Sequence, residues 1–321
     1  MRILVTGAAG FVGSHLLRGL ANAYPEAELI AADLVPPADG EAVFQDPRGG
    51  RITFHHLDIA DRIAVADCIR QEEPTHVVHA AAVTPTAAQE RDEPQRIVDV
   101  NVGGTLAVLD AATRLPGIRR IVTVSSGAVF GRAQTLPDPV DEDVPAVPDM
   151  LYGITKLASE GLTSRLGALR GISTASVRLG SVYGDLERAT STRHRTSLVH
   201  RLARATVPMT VSSGDVVRDW VHADDVAAAV AGLLAERPLR WDLYHVGGGE
   251  AVGWRRIVAI FRRAGRPVSW ADAGATADIA VGAQDARPVF SIDRIRAETA
   301  FRPRSIEEGV TGLIEQTKVS A

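Results

Sequence analysis

The alternation of two kinds of segment in the first half of this chain restricts its fold more than any other feature. Short runs of apolar and β-branched residues alternate with longer stretches of helical periodicity. Strands that are apolar on both faces are typical of a parallel sheet covered by helices. Repeated strand–helix units join such strands by right-handed crossovers. The pattern therefore predicts an α/β fold built on a doubly wound parallel sheet.

The predicted elements have well-separated positions along the chain. The predicted strands are Arg2–Thr6, Glu28–Asp33, Arg51–Leu57, Thr75–Ala81, Ile118–Ser125 and Ser173–Leu179. The predicted helices between them are Phe11–Asn22, Arg62–Gln71, Pro94–Arg114 and Leu151–Leu169. After Gly184 the pattern changes to a polar segment with three arginines, and it returns to the sheet with Ala223–Glu236 and Trp241–Val246. We therefore predict a Rossmann-like nucleotide-binding domain of residues 1–183 and 219–247, and a smaller discontinuous α/β substrate-binding domain of residues 184–218 and 248–321.

The composition excludes several classes of protein. Of the 321 residues, 45% are apolar and 23% are charged, which is enough for a sizeable core and argues against disorder. The formal net charge of −4 predicts no nucleic-acid partner. A single cysteine, Cys68, excludes a disulfide framework, and we expect no metal site. The longest apolar run, Val226–Ala235, is far shorter than the roughly 20 residues of a membrane span, so we expect a cytoplasmic protein with no membrane partner.

Three glycines follow the first predicted strand at the spacing of a dinucleotide-binding turn. Gly7 allows a sharp exit from the strand, Gly10 lets the backbone approach a pyrophosphate, and Gly13 permits close helix packing. The helix that begins there offers free N–H groups and a positive dipole end to phosphates. Asp33 ends the second strand, where a carboxylate binds the adenosine ribose and repels a 2′-phosphate. The turn therefore predicts NAD as the cofactor, in preference to NADP.

A tyrosine and a lysine lie four residues apart in a chain that has only two lysines, Lys156 and Lys318. The spacing places Tyr152 and Lys156 on one face of a predicted helix. A buried ammonium beside a phenol favours the phenolate, which is a usable base. Ser126 follows the fifth predicted strand, at the sheet edge where ligands bind, and its hydroxyl can hold a substrate oxygen. We therefore predict Ser126, Tyr152 and Lys156 as catalytic residues.

Together these motifs resemble those of the extended short-chain dehydrogenase/reductases, in the NAD-dependent epimerase/dehydratase family, and particularly its UDP-sugar 4-epimerases. The resemblance extends from Arg2 to about Arg304. The other segments that carry it, in chain order, are Leu57-Asp58-Ile59, His79–Ala82, Asn101–Thr105, Ser125–Gly131, Arg178–Gly184, Arg218–Asp225 and Tyr244–Gly249.

The resemblance also implies roles for individual residues. Asp58 and Ile59 would hold the adenine, Tyr152 would be the base, and Lys156 would bind the nicotinamide ribose. The expected cofactor-binding residues are Gly7, Gly10, Phe11, Val12, Gly13, Asp33, Asp58, Ile59, Ala80, Ala81, Ala82, Asn101, Tyr152 and Lys156. The expected substrate-binding residues are Thr84, Ser126, Gly127, Ser181, Arg218 and Arg287, with the two arginines on a diphosphate.

Departures from the family pattern reduce the number of reactions that are expected of this chain. Gly127 and Ala128 stand where dehydratases and decarboxylases of the family carry an acid that protonates the leaving group or product. Neither residue has a transferable proton, so dehydration is not expected. Ser181 and His245 each replace a usual asparagine, and the change at His245 weakens the case for a diphosphate near Ser181.

The leading hypothesis is an NAD-dependent nucleotide-sugar epimerase that inverts C4 of a UDP-hexose or UDP-hexuronate through a 4-keto intermediate. The alternative is an NAD-dependent sugar or sugar-acid dehydrogenase that releases NADH, because Ser125–Gly131 also resembles the sugar-acid dehydrogenases of the family. The arginine-bearing segment Glu187–Arg195 would suit their smaller anionic substrates. A non-catalytic NAD-sensing regulator would be expected to lose Tyr152 or Lys156, and neither is lost. In related enzymes the helices corresponding to Pro94–Arg114 and Leu151–Leu169 pair in a four-helix bundle, so the resemblance implies a homodimer.

Overall fold

The computed structural model describes residues 1–36, 52–131, 136–190, 196–212, 216–272, 275–282 and 285–319. Arg51, the predicted first residue of the third strand, and Arg193–Arg195 of the arginine-bearing segment lie outside the described residues. The strands are β1 (Arg2–Thr6), β2 (Glu28–Asp33), β3 (Ile52–His56), β4 (His76–His79), β5 (Arg120–Ser126), β6 (Ser173–Leu179), β7 (Ser181–Tyr183), β8 (Met209–Val211), β9 (Val217–His222), β10 (Leu243–Val246), β11 (Ala251–Gly253) and β12 (Val268–Trp270).

The predicted helices Phe11–Asn22, Arg62–Gln71 and Leu151–Leu169 begin and end close to the observed positions. The described residues form eleven α-helices. They are α1 (Phe11–Ala23), α2 (Arg62–Glu72), α3 (Ala87–Asp92), α4 (Pro94–Val98), α5 (Thr105–Ala112), α6 (Leu151–Arg170), α7 (Leu198–Ala203), α8 (Ala223–Leu234), α9 (Trp254–Arg263), α10 (Asp293–Thr299) and α11 (Ile306–Val319). None of the helices in the described ranges combines the length and the apolar composition needed to cross a membrane.

Seven parallel strands form the central sheet, in the order β10-β6-β5-β4-β1-β2-β3. The chain moves outwards from β1 to β3 and then returns to β4 on the other side of β1, so the strand order reverses between β1 and β4. Open α/β sheets bind ligands beyond the carboxyl ends of the strands at such a switch point. The predicted α/β fold with a doubly wound parallel sheet is confirmed.

The continuous apolar runs are explained by burial on both faces of the sheet. In β1, Ile3, Leu4 and Val5 are all fully buried. Successive side chains point to opposite faces, so Ile3 and Val5 join the apolar cluster that contains α1 and α8 residues. Leu4 joins the cluster on the other face, with residues of α2 and α5. Both faces therefore need apolar residues, and the period-two alternation of a half-exposed strand is absent from β1.

A separate apolar cluster joins α7, α9 and α11, with Trp254 and Phe261 among its buried residues. This cluster supports the predicted substrate-binding domain, whose boundaries stay a prediction. Two short sheets accompany it: β11-β9-β7 and β12-β8. Ile292 and Phe301, which fall within the predicted substrate-binding domain, instead pack into the cluster that contains α8 and β10.

The predicted helix over Pro94–Arg114 is wrong in its continuity. The chain forms α4, then a π-helical turn over Asp99–Gly104, and then α5. The wider turn carries Asn101, which points inwards and is 1% exposed. Gly104 packs against Ile59, since a Cβ atom at Gly104 would lie 2.7 Å from the Ile59 Cδ1 atom. Periodicity alone does not distinguish such a turn from a continuous helix.

Acid sensitivity is expected from a buried histidine in β10. His245 is fully buried and stacks on Phe290 with ring centroids 4.2 Å apart. Burial, with the nearby charge of Arg178, lowers the pKa of His245 to about 3. The unfolded chain binds a proton at this site below pH of about 6.5 and the folded protein does not, so stability is lost as the pH falls towards 3.

Between pH 7 and pH 5 we therefore expect the free energy of unfolding to fall by about 2 kcal/mol less in His245→Asn than in the natural protein. Urea unfolding of both proteins at the two pH values measures this difference. Equal losses in the variant and the natural protein would show that His245 is not part of the acid sensitivity.

Candidate active site

A cavity of about 500 Å³ lies at the switch point of the sheet, and a second cavity of about 270 Å³ adjoins it. Gly7, Gly10, Ala80 and Ala82 line both. The first is also lined by the predicted cofactor residues Asp33, Asp58, Ile59 and Ala81. The second is lined by the predicted residues Phe11, Val12, Gly13, Thr84, Ser126, Tyr152 and Lys156. Every predicted cofactor-binding residue except Asn101 therefore lines one of the two cavities.

The glycine turn leaves no space for side chains where it crosses the sheet. Gly7 has a φ of +70°, and a Cβ atom there would lie 2.5 Å from the Ala81 N atom. A Cβ atom at Gly13 would lie 1.9 Å from the Gly7 carbonyl oxygen. The bare backbone at the start of α1 can therefore face the pyrophosphate of a dinucleotide closely. This shape fits an NAD cofactor.

Asp33 is held at the rim of the larger cavity by the backbone on both sides of it. Its carboxylate accepts hydrogen bonds from Ala9 N and from Val35 N, both at 2.9 Å. The charge is therefore fixed beside the glycine turn, at the position expected for a ribose ligand.

The catalytic candidates meet where β5 ends and α6 begins. Ser126 is the last residue of β5, and its Oγ accepts a hydrogen bond from Ala128 N. Lys156 is 5% exposed, and its Nζ lies 5.8 Å from the centre of the Tyr152 ring. This Nζ donates a hydrogen bond to the Val124 carbonyl oxygen at 2.7 Å. Burial lowers the pKa of Lys156 to about 8, against the opposing charge of Glu160, so the ammonium is mostly protonated at pH 7.

A buried ion pair lies one turn beyond the lysine on α6. The Arg178 guanidinium donates to both oxygens of Glu160, at 2.9 and 2.8 Å.

A buried histidine on β4 lies near the lysine. His79 connects Thr6 and Thr105 through its two ring nitrogens, at 2.7 and 2.9 Å. Burial, followed by the charge of Lys156, lowers the pKa of His79 to about 3, so this ring is neutral.

A third cavity, of about 250 Å³, adjoins the catalytic candidates Ser126 and Tyr152 and is lined by most of the predicted substrate residues. It is lined by Thr84, Ser126, Gly127, Tyr152, Ser181 and Arg287. Arg218 does not line it. The Arg218 guanidinium donates through Nε to the Asp285 carbonyl oxygen at 2.6 Å and lies 5.5 Å from the Trp220 ring. Burial and the neighbouring charge of Arg287 lower the pKa of Arg218 to about 10.

Comparison with known proteins agrees with this geometry. The model of the NAD dependent epimerase/dehydratase family matches residues 3–247. The chain belongs to this family. A similar relative is the dTDP-L-rhamnose 4-epimerase of Burkholderia thailandensis, 30% identical over 303 residues, 83% of this chain and 82% of the relative.

Two solved structures resemble the chain over its whole length. The UDP-glucose 4-epimerase of Thermus thermophilus with NAD is 27% identical, with a TM-score of 0.80 and 100% of both chains covered. MoeE5 in complex with UDP-glucuronic acid and NAD has the same identity, 27%, the same TM-score, 0.80, and the same coverage. The chain is therefore an NAD-dependent enzyme of the extended short-chain dehydrogenase/reductase type, and NAD is its cofactor.

In this epimerase/dehydratase-family enzyme, the buried Asn101 side chain binds two segments that line the site. Its Oδ1 accepts a hydrogen bond from Val83 N at 2.8 Å. Its Nδ2 donates to the Val83 carbonyl oxygen at 3.0 Å and to Thr155 Oγ1 at 3.1 Å. The amide thus connects the segment after β4 to the helix that carries Tyr152, and it lines neither cofactor cavity.

Two acidic residues of the third cavity were missed by sequence reasoning. Glu90 lines the third cavity, and its Oε1 accepts a hydrogen bond from Leu151 N at the start of α6. Asp219 lines the same cavity but is 1% exposed, and burial raises its pKa to about 6 against three backbone hydrogen bonds. Arg188 lines the second cavity. Asp219 stands in a recognised motif, and Arg188 lies in the arginine-bearing segment, whereas no pattern marked Glu90.

One group of histidine and carboxylate side chains in the described part of the chain comes together closely enough to hold a metal ion: His15, Asp185 and Asp224. Arg18 donates to both carboxylates, at 2.8 Å for Asp185 and 2.6 Å for Asp224. Although burial opposes it, hydrogen bonds from His15 and Arg18 lower the pKa of Asp224. The guanidinium therefore supplies the cation that balances this cluster.

The position of Asp33 predicts how the enzyme distinguishes NAD from NADP. We expect Asp33→Asn to reduce the ratio of the NADP and NAD dissociation constants by about 10-fold, because one repulsive charge beside the 2′-phosphate is removed. Titration of the protein freed of cofactor measures both constants. Asp67→Asn, at an exposed carboxylate on α2, is the matched control. An unchanged ratio in Asp33→Asn would contradict the assignment.

Proposed function

We propose that the protein is a nucleotide-sugar epimerase that inverts C4 of a UDP-hexose through a 4-keto intermediate and regenerates NAD in each cycle. The observation that carries this proposal is the wall between the second and third cavities. Thr84, Ser126 and Tyr152 line both. A sugar in the third cavity and a nicotinamide in the second would therefore meet at the same hydroxyl groups.

The residues of this wall have the chemistry that the reaction needs. The Tyr152 oxygen takes the proton of the sugar 4-hydroxyl, and the buried ammonium of Lys156 favours the phenolate form. The Ser126 hydroxyl holds the sugar oxygen as that oxygen changes from alcohol to ketone and back. NAD, when bound, supplies a reversible acceptor for the hydride that leaves C4. Once the 4-keto sugar has turned its other face to the nicotinamide position and C4 has regained its hydride, Tyr152 returns the proton to the ketone oxygen, which gives the inverted alcohol.

Two arginines, one in the lining of the third cavity and one close to it, would suit a diphosphate. Arg287 lines the cavity, and Arg218 is close enough for the two charges to affect each other. Asp285 holds Arg218 through an ion pair at 3.2 Å. A planar guanidinium binds phosphate oxygens in pairs, so two of them suit a nucleoside diphosphate.

The surroundings of Gly127 argue against dehydration. A Cβ atom at Gly127 would lie 2.8 Å from the Phe290 Cζ atom. A side chain at the position where dehydratases of the family carry an acid would therefore require the buried Phe290 ring to move, and glycine has no proton to donate. Epimerisation needs no such acid, since no group leaves the sugar.

Glu90 favours a neutral hexose over a hexuronate as the substrate. Its side chain lies in the wall of the third cavity with Ser126 and Tyr152, and the contact with Leu151 N holds it there. Two like charges in a confined, partly desolvated site repel each other strongly. A sugar carboxylate therefore meets an unfavourable charge, whereas a neutral hydroxymethyl group can donate a hydrogen bond to Glu90.

The predicted homodimer is supported by exposed apolar residues on the helices that the family resemblance places at the interface. Val98, Leu106 and Ile154 are 37%, 43% and 49% exposed. They lie on α4, α5 and α6 in that order. The homodimer and the cytoplasmic location stay predictions.

The decisive assay offers UDP-glucose to the purified protein with no added cofactor. We expect conversion to UDP-galactose, resolved by chromatography, and a loss of at least about 100-fold in kcat for Tyr152→Phe because the proton acceptor is removed. Tyr24→Phe is the matched control, since its hydroxyl binds the Ala231 carbonyl oxygen, outside the three cavities. Absence of the 4-epimer, with NADH formed from NAD and a free sugar acid instead, would contradict the proposal and favour a dehydrogenase.

The choice between a hexose and a hexuronate is tested at Glu90. We expect Glu90→Gln to raise kcat/KM for UDP-glucuronate relative to UDP-glucose by about 10-fold, because a repulsive charge becomes a neutral amide. Glu236→Gln, which removes a surface ion pair with Arg119 outside the three cavities, is the control. If the ratio of the two kcat/KM values does not change, Glu90 does not set the substrate charge.

A further inference from the structure

We propose that Arg188 binds the diphosphate of the NAD cofactor. The inference deepens the proposed function, on which its significance rests: an epimerase that regenerates NAD in each cycle gains from holding it. The assignment itself concerns only the chain's residues and the cofactor that its family uses.

Arg188 reaches across the molecule to the glycine turn. Its Nη2 donates a hydrogen bond to the Ala9 carbonyl oxygen at 2.8 Å, and Ala9 lies within the turn between Gly7 and Gly10. Arg188 also lines the second cavity together with Phe11 and Val12, the first two residues of α1. The guanidinium is therefore placed beside the backbone N–H groups that face a dinucleotide phosphate.

The segment that carries Arg188, residues 185–190, is fixed by two acidic residues that precede the arginine. Before it, Asp185 accepts two hydrogen bonds from Arg18 of α1, at 2.8 and 2.9 Å. Next to it, Glu187 is 4% exposed and accepts hydrogen bonds from the backbone N and side-chain Oγ of Ser197, which precedes α7. This strap (residues 185–190) is thus bound to α1 through Asp185 and to the start of α7 through Glu187.

The charges around the second cavity indicate a phosphate ligand for this arginine. In the described lining of that cavity the cationic side chains are Lys156 and Arg188. Lys156 lies beside Tyr152 and donates to the Val124 carbonyl oxygen, at the position that the family resemblance assigns to the nicotinamide ribose. Arg188 lies beside the turn, where the diphosphate of a dinucleotide belongs. A guanidinium binds phosphate oxygens through a planar pair of N–H groups and keeps its charge at every physiological pH.

Equilibrium binding to the protein freed of its cofactor tests the assignment without any sugar. Calorimetry with NAD, ADP-ribose and adenosine separates the diphosphate from the rest of the cofactor. We expect Arg188→Met to raise the dissociation constants of NAD and ADP-ribose by about 10- to 100-fold and to leave that of adenosine unchanged. Arg188→Lys keeps the charge but lacks the planar pair of N–H groups, so we expect its dissociation constants for NAD and ADP-ribose to lie between those of the natural protein and those of Arg188→Met. Arg262→Met, at an exposed arginine of α9, is the matched control.

Three outcomes would overturn the assignment. NAD and ADP-ribose bind to Arg188→Met as they bind to the natural protein; or adenosine binding is lost to the same degree, which indicates a damaged turn; or UDP binding weakens while NAD binding does not, which places Arg188 on the substrate. Because no turnover is measured, these results do not depend on the epimerase assay. A protein that fails the epimerase assay can still show the expected binding. A protein that passes the assay can still fail to show it.

Discussion

The close approach of two backbone segments in the middle of the sheet determines the position of everything else in this site. β1 and β4 pair with Thr6 opposite His79, and the chain leaves β1 at once through Gly7. Because a Cβ atom at Gly7 would lie 2.5 Å from the Ala81 N atom, the two segments are in direct backbone contact. This contact forms the floor of the cofactor cavity and sets the direction in which α1 begins. A side chain at Gly7 would push apart the segments that follow β1 and β4, and it would move the N-terminus of α1 away from the phosphates of the cofactor.

Buried hydrogen bonds extend that geometry to the catalytic helix. Val83 follows β4 and is bound on both its backbone groups by the Asn101 side chain, which also binds Thr155. Thr155 precedes Lys156, whose ammonium binds the backbone of β5 at Val124. Buried polar groups are costly unless they are paired, so each bond in this chain of contacts favours one arrangement. The proposed catalytic side chains therefore lie in a wall between two cavities that these hydrogen bonds stabilise.

The amino-acid sequence predicts the parts of this site that depend on local backbone chemistry. The glycine spacing, the acid at the end of β2 and the four-residue step from Tyr152 to Lys156 each have a local physical reason, and the predicted fold is confirmed. The contacts that sequence reasoning missed join distant positions. Glu90 and Leu151 are 61 residues apart, and Arg188 and Ala9 are 179 apart. No periodicity or turn signal encodes such pairs, because they exist only once the sheet has brought their elements together. Asn101 shows the same limit: its motif marks an important amide, whereas the backbone groups it binds follow only from the fold.

The most direct test of epimerisation with a retained cofactor follows the hydrogen on C4 of the sugar. UDP-glucose carrying deuterium at C4 is incubated in ordinary water with the purified enzyme and no added NAD, and the product is analysed by mass spectrometry and NMR. A reaction in which Tyr152 moves the hydroxyl proton while the bound NAD keeps the hydrogen of C4 predicts UDP-galactose with the deuterium still on C4. Deuterium in free NADH, or a C4 hydrogen taken from water in the product, would contradict this account.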